Sequence, residues 1–354
     1  MRLALVTDAW TPQVNGVVRT LATTVAYLEA QGWEVLVVSP DRFRSLPCPT
    51  YPEIRLALAS PGAVGRLIRD FNADALHIAT EGPLGLAARR HALRLGRPFT
   101  TSFHTRFPDY LAARFRLPPA LTWSWLARFH RPARAVLVAT PTLARELARH
   151  GILHTRPWSR GVDTRLFRPG WPAPVAYRGL ERPILLSVGR VAVEKNLEAF
   201  LTLNVPGTKV VVGDGPALAD LRARFPQALF LGALHGEELA RAYAGADLFV
   251  FPSRTDTFGL VLLEAMASGL PVAAFPVPGP LDVVADSGAG VLDADLGRAV
   301  QQALKIPRAA AVLRAREFSW ERSVEQFAEA VRAAALGGPT QRAAPVPHPH
   351  PLAA

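Results

Sequence analysis

"DLFVFPSRTDTFGLVLLEAMASG", residues 247–269, contains one complete structural unit. Residues 248–251 are apolar without alternation, as suits a strand buried on both faces. "RTDTFG" is a polar loop, and "LVLLEAMASG" reads as a helix closed by Gly269, where helices commonly stop. In folds built from such units, ligands collect at the carboxyl end of the strand, where the loop meets the helix start. The loop carries Asp256, and Glu264 follows inside the helix. The backbone amides of Phe258 through Val261 are helix-start donors, favourable for anionic oxygen. Two carboxylates for hydroxyls, with amides for phosphate between them, describe a nucleotide-sugar site. The plainer alternative is an Asp that caps the helix and an incidental helix Glu.

The same alternation runs through the chain. Strand-like runs in the first half are "LALVT" (3–7), "EVLVVS" (34–39), "ADALHIA" (73–79), "FTTSFH" (99–104) and "RAVLVAT" (134–140). Helical stretches such as 16–32 and 83–96 separate them, the latter ending on Gly96. A Pro-rich segment, 169–183, reads as a linker. "PILLSVG", "TKVVVGDG", "ALFLGA", "DLFVFPS" and "PVAAFPV" then repeat the pattern. Continuous apolar strands between helices mean parallel sheets covered on both faces. The expected class is α/β, with two Rossmann-like domains facing each other across a cleft. The boundaries are 1–168 (N-terminal, acceptor-binding), 169–317 (C-terminal, nucleotide-sugar-binding), a helix at 318–337 packing back on the N-terminal domain, and a disordered tail at 338–354. The His-Pro pairs in that tail are read as solvated rather than metal-binding.

Composition narrows the function. The 354 residues suffice for two domains with full cores, and 49% apolar residues exclude a disordered chain. No apolar run reaches the roughly 18 residues of a membrane span, and "MRLALVTDAW" is too short in apolar residues for a secretory leader. A single cysteine, Cys48, excludes an internal disulfide and fits a reducing cytoplasm. The net charge of +11 comes almost wholly from arginine. It favours anionic partners, and with no nucleic-acid-binding signature a membrane surface or anionic substrate is the better reading.

Loops after other strands offer further site candidates. Arg190 and Lys195 follow "ILLSVG" and stand before a helix, where a guanidinium fork and an ammonium can meet a diphosphate. The alternative is a solvated loop. After the first strand, Gly16 opens a helix and lets backbone amides approach a phosphate or sugar, although an Asn-Gly pair is also an ordinary turn. Two motifs are set aside. Asp293 and Asp295 in "LDADL" have metal-motif spacing but start a helix, so they read as caps or first-turn acids. "GDGP" at 213–216 lacks the third glycine of a dinucleotide fingerprint.

"SVGRVAVEKN", "VVGDGP", "FLGALHGEELARAYAGADLFVFPSRTDTFGLVLLEAMASGLPV" and "RGVDTRLFRP" together resemble, in order and spacing, the family 4 retaining glycosyltransferases of the GT-B fold. "TDAWTPQVNGVVRTL" and "SFHTRFPDY" are most similar to the bacterial GDP-mannose-dependent mannosyltransferase and lipid glycosyltransferase branch. The resemblance spans roughly residues 1–336. It implies that Arg190 and Lys195 clamp the diphosphate, that Asp256 and the Phe258–Gly259–Leu260 backbone hold the transferred sugar, and that Glu264 reads the ribose. It also implies that Gly16 faces the phosphates and that His104 lies near the anomeric centre; a core histidine is the alternative for His104. Asp256 departs from the family, where glutamate is usual, and shortens the side chain by one methylene.

On the acceptor side, residues 106–134 interleave arginines with aromatics, as interfacial helices do. Arg106, Tyr110, Trp123 and Trp125 are the candidates there, against an ordinary helix packed on its own domain. The function expected is retaining transfer of a mannose- or glucose-type hexose from GDP-mannose or a UDP-sugar to a membrane lipid such as diacylglycerol or a glycolipid. The transferase is expected to work without a metal or cofactor, at the inner face of the cytoplasmic membrane. A soluble saccharide acceptor, a sugar-nucleotide epimerase of the same fold and a nucleotide-sugar-binding protein without activity remain open alternatives.

Overall fold

A computed structural model describes residues 1–13, 15–48, 51–104 and 118–337, without the side chains of 51–54. Arg106, Tyr110 and the tail from 338 onward lie outside the described residues.

The first sheet has the order β2-β1-β5-β6-β7-β8, all parallel. Its strands are β1 (Arg2–Val6), β2 (Glu34–Val38), β5 (Ala75–Ile78), β6 (Thr100–Phe103), β7 (Ala135–Val138) and β8 (Thr155–Pro157). A hairpin of β3 (Ser45–Cys48) and β4 (Tyr51–Ala57) stands apart from it. The second sheet has the order β11-β10-β9-β12-β13-β14, again parallel. It comprises β9 (Ile184–Val188), β10 (Thr208–Val212), β11 (Leu229–Phe230), β12 (Leu248–Phe251), β13 (Val272–Ala274) and β14 (Gly290–Leu292).

Strand alternation divides each core between two faces. Leu3 and Leu5 pack with Leu21, Leu28 and Phe327 on one side, while Ala4 and Val6 pack with Ile68, Leu76 and Leu84 on the other. In the second sheet Leu186 and Val210 share a cluster with Tyr243 and Leu263, and Leu185 and Val211 join Phe200 and Leu248 opposite. These strands therefore read as continuous apolar runs, because neither face meets water.

Helix starts are set locally. The Asn15 side chain accepts from the Val17 and Val18 amides at 3.0 Å and caps the helix Gly16–Ala30, so the Asn-Gly pair is a helix start. Asp295 accepts from the Arg298 amide and Asp293 from the Asp295 amide, consistent with capping.

The chain passes between the sheets at Ser159–Val162. There Val162 donates to the Phe318 carbonyl, and a Cβ on Gly161 would lie 2.3 Å from the Trp320 nitrogen, so only glycine fits that crossing. The helix Trp320–Ala335 returns to the first sheet, setting Phe327 against His77 and Trp158.

One expectation is overturned. Trp123 is not interfacial: it is 7% exposed, stacked 3.9 Å from His150 and 6.0 Å from Phe103. In the helix Pro119–His130, past the exposed first two residues, the exposed positions are Leu121, Ser124, Trp125 and Arg128, one stripe at helical spacing, and Trp123 falls on the opposite side.

Candidate active site

In both sheets the order reverses beside the first strand, between β1 and β5 and between β9 and β12. Such switch points open a crevice at the carboxyl ends of the strands. Arg190, Lys195, Asp256, Phe258, Gly259, Leu260 and Glu264 stand on the loops after β9 and β12 and the helix that follows, and Gly16 opens the helix after β1.

In the C-terminal half, the loop after β9 carries Arg190, Lys195 and Asn196. Asn196 adopts a left-handed conformation, φ 52°, which asparagine tolerates better than most residues. Its side-chain amide donates to the Pro252 carbonyl at 3.0 Å, tying this loop to the end of β12. Lys195 is thereby brought to Asp256, Nζ to Oδ1 2.6 Å, with both side chains about a quarter exposed (27% and 22%). The second Asp256 oxygen, Oδ2, is buried and has no hydrogen-bond partner among the described residues. Asp256 is therefore not a helix cap. The cap of Leu260–Ala267 is Gly259, at φ 82°, with no side-chain acceptor on the helix-start amides. Phe258 is buried, edge-on to Phe318.

Glu264 lies one turn into that helix and is 2% exposed. Tyr243 donates its hydroxyl to Oε2 at 2.9 Å, and Arg19 reaches Oε1 from the opposite half of the molecule. Burial, then the Glu264 charge, push the Tyr243 hydroxyl well above its ordinary pKa. Gly16 stands one turn before Arg19, and a Cβ on it would lie 3.6 Å from Leu260 Cδ1. The bare helix start of one half therefore faces the helix start of the other.

The N-terminal switch point is built from buried polar groups. Asp8 accepts from Thr80 Oγ1 at 2.8 Å and from the Leu84 amide at 2.9 Å; burial nonetheless raises its pKa above the ordinary carboxylate value. Glu81 pairs with His130 at 3.1 Å, and His130 also meets Thr101 at 2.9 Å. His104, at the end of β6, has Nε2 at 2.9 Å from Ser102 Oγ and Nδ1 at 3.2 Å from Arg160 Nη2. Its carbonyl accepts from Thr257 Oγ1 at 2.7 Å, the residue after Asp256. Both ring nitrogens are therefore engaged by protein groups. Burial holds His104 well below the usual imidazole range, and Arg160, His77 and His130 act in the same direction. Burial alone takes His77 down to about 3.

The fold thus brings Gly16, His104, Lys195, Asp256, Gly259, Leu260 and Glu264 to the two facing crevices, with Arg190 at the end of β9. Trp123 and Trp125 stand elsewhere, on the helix Pro119–His130. Sequence reasoning missed Arg19, Tyr243, Asp8 and Arg160. Arg19 had a signal, since it lies three residues after Gly16 and so on the same helix face. Tyr243 and Arg160 had none, because their partners are 21 and 56 residues away.

Residues 14–166 match the Glycosyltransferase Family 4 domain, and residues 182–306 match Glycosyl transferases group 1. Over 316 residues the chain is 34% identical to the GDP-mannose-dependent alpha-mannosyltransferase of Mycobacterium tuberculosis, covering 82% of this chain and 83% of that one. It is 27% identical over 345 residues to the alpha-monoglucosyldiacylglycerol synthase of Streptococcus pneumoniae, covering 86% and 78%. Among solved structures, sucrose-phosphate synthase from Thermosynechococcus elongatus matches at TM-score 0.77 and 20% identity, over 95% of this chain and all of that one. Anabaena HepE in complex with UDP and glucose matches at TM-score 0.67 and 17% identity, over 94% and 100%. These relatives set aside the epimerase and binding-only alternatives. The chain belongs to glycosyltransferase family 4 and is a glycosyltransferase of the GT-B fold.

Proposed function

We propose that this enzyme moves a mannose- or glucose-type hexose from a nucleotide diphosphate sugar to a hydroxyl of a membrane lipid, with retention of configuration. The observation that carries the donor half is Asp256. One of its oxygens is held by Lys195, and the other is buried with no partner among the described residues, in the loop after β12. A buried carboxylate oxygen is costly unless it accepts a hydrogen bond, and a sugar hydroxyl supplies one. Lys195 and Arg190 meet the diphosphate and stabilise the charge that develops as it leaves. They do so without a metal, so chelation leaves the rate unchanged. The leaving phosphate oxygen takes the acceptor proton in a same-face attack. Glu264 orders the ribose from its position between Tyr243 and Arg19. Named relatives that use GDP-mannose or that make glucosyldiacylglycerol support the donor and acceptor classes.

The acceptor half rests on an exposed surface of the N-terminal domain. Leu86, Arg90, Leu93 and Arg94 line the outer face of the helix Pro83–Arg94. Leu121, Trp125 and Arg128 line that of Pro119–His130. Arg89 joins the two helices by donating to the Arg128 and Phe129 carbonyls. Leucine and tryptophan among arginines suit an anionic bilayer, each arginine close to the surface adding about 1 kcal/mol. Among the described residues no helix is long and apolar enough to cross a membrane, so the contact is peripheral. The deciding assay incubates the enzyme with labelled GDP-mannose or UDP-glucose, and with vesicles containing diacylglycerol or a glycolipid, or a soluble saccharide. Label in the lipid extract is expected. Label in the saccharide alone overturns the lipid acceptor, and hydrolysis without transfer overturns the whole reading.

A further inference from the structure

Arg160 is 5% exposed and has no carboxylate partner among the described residues. Burial lowers its pKa to about 9, so it remains a cation at neutral pH. Nη1 donates to the carbonyls of Trp158 (2.5 Å) and Ser159 (3.0 Å), and the guanidinium carbon lies 4.5 Å from the Trp158 ring centroid. Nη2 points at His104 Nδ1. A guanidinium has donors and no acceptor, so the Nδ1 it meets must carry a lone pair. The neutral ring then carries its proton on Nε2 and donates it to Ser102 Oγ.

That assignment propagates. Ser102 spends its own proton on the Ala79 carbonyl at 3.3 Å, so its second lone pair accepts from His77 Nε2 at 3.1 Å. His77 Nδ1 is left to accept from Thr100 Oγ1 at 2.8 Å. Every member of the chain is satisfied in this one direction, which Arg160 sets. We propose that Arg160 is a positioning residue that fixes His104 in its Nε2–H form and keeps the ring uncharged beside the cleft. This rests on reading the cleft as the transfer site. His104 is then a rigid neutral wall rather than an acid or base, and its carbonyl is held for Thr257.

The charged and titratable groups that face His104 agree. Arg160 approaches from the loop after β8, His77 from β5, and His130 from the helix Pro119–His130, with Glu81 already paired to His130. Across the cleft, Thr257 is followed back along the chain by Asp256, which Lys195 neutralises. A proton on Nδ1 would set two cations about 3 Å apart out of water, which is strongly unfavourable.

The test is nitrogen NMR of histidine-labelled enzyme, with His104 assigned by difference against His104→Asn. In the wild type, His104 Nδ1 is expected to be pyridine-like and Nε2 pyrrole-like, unchanged from pH 5.5 to 8. Arg160→Met should give a tautomer mixture that titrates in that range. Its kcat should acquire an acid limb falling about tenfold per pH unit, with a smaller change in donor KM. Arg160→Gln keeps a donor without the charge, and should preserve the tautomer while allowing titration. A protonated Nδ1 in the wild type overturns the proposal, even if no variant folds. So does an Arg160→Met protein with unchanged nitrogen shifts and pH profile, because a merely structural arginine would lower stability alone. The NMR readout needs no turnover, so failure of the transferase reading leaves it interpretable.

Discussion

At the ends of β1, β5 and β6 the polar groups are buried and bonded to one another. They form three hydrogen-bonded sets: Asp8 with Thr80, Glu81 with His130 and Thr101, and Arg160 through His104 and Ser102 to His77 and Thr100. At the ends of β9 and β12, the same places in an equivalent sheet, Lys195 and Asp256 form one close ion pair that remains partly exposed, with an oxygen to spare. The strand order at the two switch points is equivalent, so topology does not cause the difference. It lies in the loops. The N-terminal loops bury their polar groups: burial raises the Asp8 pKa, takes His77 down to about 3 and holds His104 well below the usual imidazole range. The C-terminal loops keep full charges beside solvent. A crevice of the first kind suits an uncharged hydroxyl, and one of the second suits a charged diphosphate.

The largest way to break this contrast is to disturb the packing behind the N-terminal network. Trp123 stacks between Phe103 and His150, so Trp123→Ala should cost about 3–5 kcal/mol of stability in urea titration. A loss below about 1 kcal/mol would return Trp123 to the surface. Next in size is the C-terminal pair. Lys195→Ala and Asp256→Ala should each lower kcat/KM by about 10²–10³, and the double variant should lose little more than the worse single one, because the two act as a unit. Full additivity in steady-state kinetics would mean that they work separately.

The third effect separates the crevices by pH. His77 and His104 have folded-state pKa values below the unfolded value of about 6.5. The unfolded chain therefore binds more protons in acid, and stability present above pH 6.5 is lost as the pH falls toward the folded values. Each histidine should contribute a slope of about 1.4 kcal/mol per pH unit over that window. Denaturation at stepped pH checks this, and His77→Gln should remove one such slope; an unchanged slope would show that His77 is not held neutral. The smallest effect concerns the outer face. Trp125→Ala should leave stability within about 0.5 kcal/mol yet weaken sedimentation with anionic vesicles, and the remaining binding should fall with salt over the Debye length. Unaltered vesicle binding would remove this helix from the membrane contact.

Much of this molecule was legible in its sequence. Uninterrupted apolar strands between helices required parallel sheets with both faces covered, and parallel sheets place loops and helix starts on one edge. Asp256, Glu264, Lys195, Arg190 and Gly16 could be picked out because each follows a strand run or sits at a helix start, a property of neighbours in the chain. The sequence alone also marked Asp293 and Asp295 as possible caps, since capping spans only three residues. Which side of a helix meets water was not legible at 106–134, where Trp123 and Trp125 differ by two positions, and the turn of the helix sends one inward. Nor could sequence pair Arg19 and Tyr243 with Glu264, or Arg160 with His104. Those pairings join residues far apart in the chain, and only the packing of helices on sheets, and of one half against the other, brings them within a hydrogen bond.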